Sequence, residues 1–145
     1  MRFEFSAGGI VYKKTNNSLL ILVAQHSQHH GWVFPKGLIG DKIQGENKED
    51  TALREVKEET GIEGKILQHL DPIQFWYVFN GEKIKKTVYY YLMGYVSGDT
   101  SDHDFEMENV EWISIGEVEN RLTYKSDKKV FEQAKPIINN LVNKE

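Results

Sequence analysis

The 145-residue chain contains no cysteine, which excludes disulfides and thiolate zinc sites and suits a reducing cytoplasm. It also lacks any apolar run approaching the eighteen residues of a membrane span, and Met1-Arg2-Phe3-Glu4-Phe5 is not an apolar leader. A soluble, cytoplasmic protein with no membrane partner is expected. Positive charge is not in excess: the formal net charge is −4, with acidic residues concentrated before Gly61 and between Asp99 and Glu111. That distribution argues against a broad basic surface, so long nucleic acid is not an expected partner. There is no repeat, low-complexity tract or linker. With 39% hydrophobic and 12% aromatic residues, the chain suffices for one well-buried core, and a single domain over residues 1–145 is expected.

What the sequence does have is a concentration of carboxylates in Arg54-Glu55-Val56-Lys57-Glu58-Glu59. On a helix, Glu55, Glu58 and Glu59 stand at i, i+3 and i+4 and share an arc of roughly 100°. Like charges at these spacings repel by a few tenths of a kcal/mol per pair, so a positive group belongs among them. A hard, oxygen-seeking divalent cation suits that place. Ala52, Leu53, Val56 and Thr60 fill the adjoining arc and should pack inward. Asn47, three residues before Asp50, reads as the N-cap, and Gly61 as the stop.

Alone, this segment could be a solvated Glu-rich helix face. The wider spacing of Gly40, Glu46, Arg54, Glu55, Val56, Glu58, Glu59, Gly61 and Ile62 makes that reading poor. It follows G-x5-E-x7-R-E-U-x-E-E-x-G-U, with U a bulky aliphatic, and a chance match is on the order of one in a billion per starting position. The pattern resembles the Nudix box of hydrolases that cleave a nucleoside diphosphate linked to another group. Eight residues separate Gly37 from Glu46 where the box has five, so the loop carries three extra residues, and either Gly37 or Gly40 serves as the first box glycine.

The chain in order predicts a strand over Phe3–Tyr12 with small residues at Ala7-Gly8-Gly9, and a central strand over Leu19–Ala24. His26, His29 and His30 follow in a loop; without cysteine they read as solvated groups, one of them within reach of substrate. Trp32–Phe34 is a short strand closed by Pro35. After the helix come a weak strand over Ile66–Leu70 and a hairpin, Ile73–Phe79 and Glu82–Val96, turned by Asn80-Gly81. In that register Phe75, Tyr77, Lys86 and Tyr90 share a face. Val110–Ile115 reads as a further strand, Glu117–Arg121 as a helical turn, and a helix capped by Ser126 runs through Val142 with a kink or break at Pro136.

The resemblance implies an α/β fold, an α/β/α sandwich with a mixed sheet flanked by helices. It also implies Mg²⁺, with Mn²⁺ possible, held by Glu55, Glu58, Glu59 and the Gly37 carbonyl. Arg54 and Glu46 would orient these groups, with Glu58, Glu106 and Arg54 the catalytic set, and Lys36 and Lys86 would hold phosphates. Glu106 lies six residues before Trp112, similar to the extra glutamate of dinucleotide-polyphosphate hydrolases, with Glu108 in reserve. Tyr77, sixteen residues after Gly61, and Lys86-Thr87-Val88-Tyr89-Tyr90 also resemble that branch. The expected partner is a small nucleotide, diadenosine tetraphosphate giving ATP and AMP. Alternatives within the class are oxidised nucleoside triphosphates, 5′-capped RNA or inositol pyrophosphate. A non-catalytic nucleotide-binding module would be expected to have lost a box glutamate, and all three are present.

Overall fold

The computed structural model describes residues 1–144. The chain begins with β1 (Arg2–Lys14), whose alternation assigns its side chains to two cores. Ile10 and Tyr12 enter one buried cluster, while Ala7 and Val11 enter another on the opposite face. β2 (Leu19–His26) does the same, with Ile21 and Val23 on one side and Leu22 on the other, which is why its apolar run is continuous.

The remaining elements are β3 (Trp32–Val33), β4 (Lys36–Leu38), α1 (Lys48–Thr60), β5 (Ile62–His69), β6 (Ile73–Phe79), β7 (Glu82–Gly98), β8 (Met107–Ser114), α2 (Val118–Arg121) and α3 (Lys125–Asn143). The strands form one mixed sheet in the order β3-β2-β1-β7-β5, with β4 on β1, β6 on β7 and β8 on β2. Only β1 and β7 run parallel among these pairs.

Helix α1 covers one face through Ala52 and Val56 against Ala7, Val11, Leu22, Ile62 and Met93. Gly9 allows a close approach here: a Cβ there would stand 2.9 Å from Val56 and 2.7 Å from Met93. Helix α3 covers the other face through Val130, Phe131, Ala134 and Ile138. The expected α/β/α sandwich is therefore the fold. The hairpin register is as expected, with Phe79 opposite Glu82 and Tyr77 opposite Ile84.

Several strand ends shift by one or two residues, and some boundaries differ from expectation for a clear reason. β4 is a strand where a loop was expected, because the Lys36–Leu38 backbone bonds to Ser6–Gly8 of β1. β5 starts at Ile62, directly after the Gly61 cap, so its pairing with β7 begins earlier than the apolar pattern at Ile66 suggests. β8 likewise begins at Met107 rather than Val110, since pairing with His26 extends it past a bulge. Helix α3 starts at Lys125, after Tyr124, which makes no side-chain cap bond, and Ser126 lies inside its first turn. It also passes through Pro136 unbroken. Pro136 and Glu132 are both exposed, so the carbonyl freed by the missing N–H reaches water, while Phe131, Ala134 and Ile138 hold the helix to the sheet on either side.

Candidate active site

Helix α1 is capped as its sequence suggests. Asn47 Oδ1 accepts the Asp50 N–H at 2.8 Å, and Gly61, at φ 78°, closes the other end. Between the caps, the turn that buries Ala52 and Val56 also carries Glu55 and Glu59 to the sheet edge, where they are only 3% and 4% exposed. Burial raises the carboxyl pKa of Glu55, and raises that of Glu59 well above the ordinary range, with the Glu55 and Glu106 charges adding to the effect at Glu59. Glu59 accepts the Lys36 backbone N–H at 3.2 Å.

Gly37 lies directly against Glu55. A Cβ there would stand 1.9 Å from Glu55 Oε2, so only glycine allows β4 and α1 to meet here. Gly40, by contrast, sits at φ +80° in the exposed loop with open space around its Cβ position.

Arg54 ties the outer carboxylates together. Its Nε and Nη2 donate to Glu46 at 3.0 and 2.9 Å, and its Nη1 donates to both Glu58 oxygens at 3.1 Å and lies 3.5 Å from Glu55. Arg54 is thereby held firmly protonated, first by the Glu46 bonds, and Glu46 is held below the usual carboxylate range by the same bonds. Glu58 is half exposed. Desolvation would raise its pKa, but hydrogen bonds from Lys42 and Arg54 hold it low. Lys42, in the extra loop residues, donates to Glu58 at 2.6 Å and was not expected to take part.

Gly37, Lys42, Glu55 and Glu59 line a cavity of about 270 Å³ together with Ser6, His26, His29, Lys36, Lys86 and Glu106, whereas Glu46, Arg54 and Glu58 do not reach its wall. Lys86 lies 4.0 Å from Glu4, and burial followed by the nearby Lys36 charge lowers its pKa. Two ammonium groups held together beside buried carboxylates suit a polyanion. Ser6 Oγ is buried in this wall without a hydrogen-bond partner, which leaves one more polar group for a ligand.

Glu106 lines the cavity, whereas the Glu108 carboxylate pairs with His30 Nδ1 away from it. The two candidates are thus separated because Glu106 lies in the turn before β8, whereas Glu108 lies within the strand and pairs with His30. A second cavity of about 430 Å³, lined by Ile73, Phe75, Val88, Tyr90, Tyr124 and Asp127, shares His29, Val33 and Lys36 with the first as lining residues.

Tyr90 belongs to the floor of this second cavity. It is fully buried, edge-on to Phe34, and its hydroxyl donates to Asp127 at 3.1 Å, so the core, and not a phosphate, claims that group. Tyr77 lines neither cavity, because its hydroxyl is tied to Glu4. Phe75, two residues earlier on the same face, does line one. His29 stacks on His26 with centroids 4.2 Å apart; its Nδ1 accepts from Gly31 N–H and lies 3.0 Å from the Tyr124 hydroxyl. Burial first, then neighbouring cations, lower its pKa. Tyr124 and Asp127 carry no sequence signal, since only α3 packing brings them to the site.

The donor chemistry fits a hard divalent cation: the carboxylates of Glu55, Glu58 and Glu59 and the Gly37 carbonyl, all oxygen. Among the described residues no three acidic or histidine groups converge closely enough to hold an ion as they stand, because Arg54 and Lys42 hold Glu58 aside.

The NUDIX domain family matches residues 2–134. A putative mutator protein MutT4 of Mycobacterium tuberculosis is 43% identical over 144 residues, covering 95% of this chain and 57% of that relative's length. The rat asymmetrical bis(5′-nucleosyl)-tetraphosphatase is 34% identical over 109 residues, covering 71% and 68% respectively. Among solved structures, a C. elegans Ap4A hydrolase complex superposes with a TM-score of 0.70 at 21% identity, covering 94% of this chain and 98% of that one. The NUDIX domain of Shewanella oneidensis NrtR, bound to ADP ribose, gives a TM-score of 0.74 at 20% identity, covering 95% and 90%. The domain match, the box on α1 and the sandwich around it agree, and the chain belongs to the Nudix hydrolase family.

Proposed function

We propose that this protein hydrolyses a pyrophosphate bond in a dinucleoside polyphosphate, converting diadenosine tetraphosphate into ATP and AMP with Mg²⁺ or Mn²⁺. The observation that carries the proposal is that the charged and the apolar cavities are neighbours, both lined by His29, Val33 and Lys36. A polyphosphate fits over Lys36 and Lys86, and the attached base fits against Phe75 and Tyr124. Asp41 and Lys42, exposed at the other side of the charged cavity, leave room for the second nucleoside. The likeness to a rat tetraphosphatase supports the same substrate class.

Glu55, Glu58, Glu59 and the Gly37 carbonyl would hold the ion, which supplies charge neutralisation at the phosphates and a more acidic water. Lys36 and Lys86 offset the remaining phosphate charge and fix the polyphosphate in line. Arg54, clamped by Glu46, orients Glu55 and Glu58. Glu106 faces the cavity, forms no ion pair among the described residues, and takes the proton of the attacking water. Tyr77 backs Phe75, with ring centroids 6.3 Å apart, and so supports the stacking surface.

A second reading, a nucleoside triphosphate with an oxidised purine, rests on Asp127. This buried carboxyl, its pKa raised by burial, stands in the apolar cavity where it can hydrogen-bond a base edge. A relative named as an 8-oxo-(d)GTP phosphatase, 27% identical over 113 residues, is consistent with that class. A panel of dinucleotides, ordinary and oxidised triphosphates and nucleotide sugars, assayed with Mg²⁺ and with chelator, separates the two. Diadenosine tetraphosphate should be the best substrate, and Phe75→Ala should lower its kcat/KM by about five- to a hundredfold. Release of two ADP, or a clear preference for oxidised triphosphates, refutes the dinucleotide assignment.

A further inference from the structure

On the sheet face that α1 covers, the covering stops short. Ala7, Val11, Tyr89 and Tyr91 belong to the α1-side core, but Phe3, Phe5, Trp76 and Val78 do not. These four are 55%, 47%, 47% and 69% exposed. Register places them together: Phe3 stands beside Lys85, which stands beside Trp76, and Val78 stands beside Lys83. Both ammonium groups lie over the Trp76 ring, 4.7 and 5.5 Å from its centroid. Neither lysine has a carboxylate partner among the described residues. Glu4 and Glu82, which carry the nearby negative charge, belong to the opposite face, alongside Lys86 and Phe79.

An acidic chain thus presents one patch that is aromatic and locally basic, away from the catalytic cavity. Spacings of about 7 Å along a strand and about 5 Å between strands set Phe3, Phe5 and Trp76 apart as separate stacking surfaces on a flat support. Aromatic rings on an open sheet face, flanked by cations, are the arrangement that holds unpaired bases while neutralising their backbone. We propose that the Phe3–Phe5–Trp76 face, with Lys83 and Lys85, is a binding site for single-stranded nucleic acid, separate from the catalytic cavity. The charge complementarity is local, so the site takes a short strand and not a long duplex. An acidic peptide would use the lysines and leave the rings unengaged.

The test is fluorescence anisotropy of the full chain with 3′-labelled ten-nucleotide oligo(U) and oligo(A) carrying a 5′-hydroxyl, which offer no pyrophosphate to cleave. Binding is expected, with a log–log salt slope near −1.4 for two lysine contacts. Trp76→Ala should weaken it about five- to a hundredfold, and Lys83→Glu with Lys85→Glu should abolish it, while Lys36→Ala in the catalytic cavity leaves it intact. Trp76 and Lys83 are exposed and Lys85 is half-buried, so the fold of each variant is checked by circular dichroism. Absence of binding overturns the proposal. So does loss through Lys36→Ala but not Trp76→Ala, equal competition by poly-glutamate, or a sedimentation result in which the same face is buried in a dimer.

Discussion

Replacing Gly37 with alanine is the most direct perturbation of the candidate active site. The new Cβ would lie 1.9 Å from Glu55 Oε2 and 2.1 Å from its Cδ. The backbone cannot easily retreat, because Gly37 pairs with Ala7 in the sheet. Nor can the carboxylate, which is 3% exposed and sits beside Arg54. Overpacking of this kind costs about 1–3 kcal/mol. For a chain of this size that corresponds to a fall in Tm of roughly 3–10 °C. Displacing a catalytic carboxylate by an ångström can reduce turnover about a hundredfold. Gly40→Ala meets open space, so its cost is limited to a left-handed backbone, about 1 kcal/mol, with turnover unchanged. Thermal unfolding and kcat measured on both variants separate the two glycines. Glu55→Ala adds a control, since it removes the clash and should cancel most of the Gly37→Ala penalty in a double-mutant cycle. Wild-type Tm and kcat in Gly37→Ala, or a larger loss of activity in Gly40→Ala, would refute the placement of Gly37 at the site.

The buried glutamates set a pH dependence. Glu55 and Glu59 have folded-state pKa values raised above the ordinary value, mainly by burial, so the stability they allow is complete below that value and is lost as pH rises through the folded pKa. In chelator, Tm should therefore fall as pH rises from 4.5 to 8, the slope should flatten in Glu59→Gln, and Mg²⁺ should raise Tm more at pH 8 than at pH 5; a flat wild-type profile would contradict the burial argument. Glu106→Gln should lower kcat by tenfold or more with little change in KM, about 10²–10⁴-fold being typical of a lost general base, while Glu108→Gln, whose carboxylate pairs with His30, should change little. The reverse ranking in steady-state kinetics would move the role to Glu108.

Local rules were enough for α1, its caps and its inward-facing Ala52 and Val56, because helix period and capping depend on residues within one or two turns. The same holds for the Asn80-Gly81 hairpin, where a two-residue loop sets the register that puts Phe75, Tyr77, Lys86 and Tyr90 on one face. What sharing a face left open was depth. Tyr90 lies beneath α3 and is taken by Asp127, Tyr77 lies near β1 and is taken by Glu4, and Phe75 alone of the three aromatics keeps a ring on a cavity without a polar tie. These outcomes depend on which element crosses above each strand position, and that is a contact between residues dozens of positions apart. The choice between Gly37 and Gly40 was open for the same reason: both glycines satisfy a spacing, and only the approach of β4 to α1 puts one of them against Glu55. Lys42, Tyr124 and Asp127 had no signal at all, since a lysine in an exposed loop, a tyrosine before a helix and an aspartate in its first turn are common in any sequence. Tertiary packing brings the latter two around a cavity, and a long loop turns the first onto Glu58.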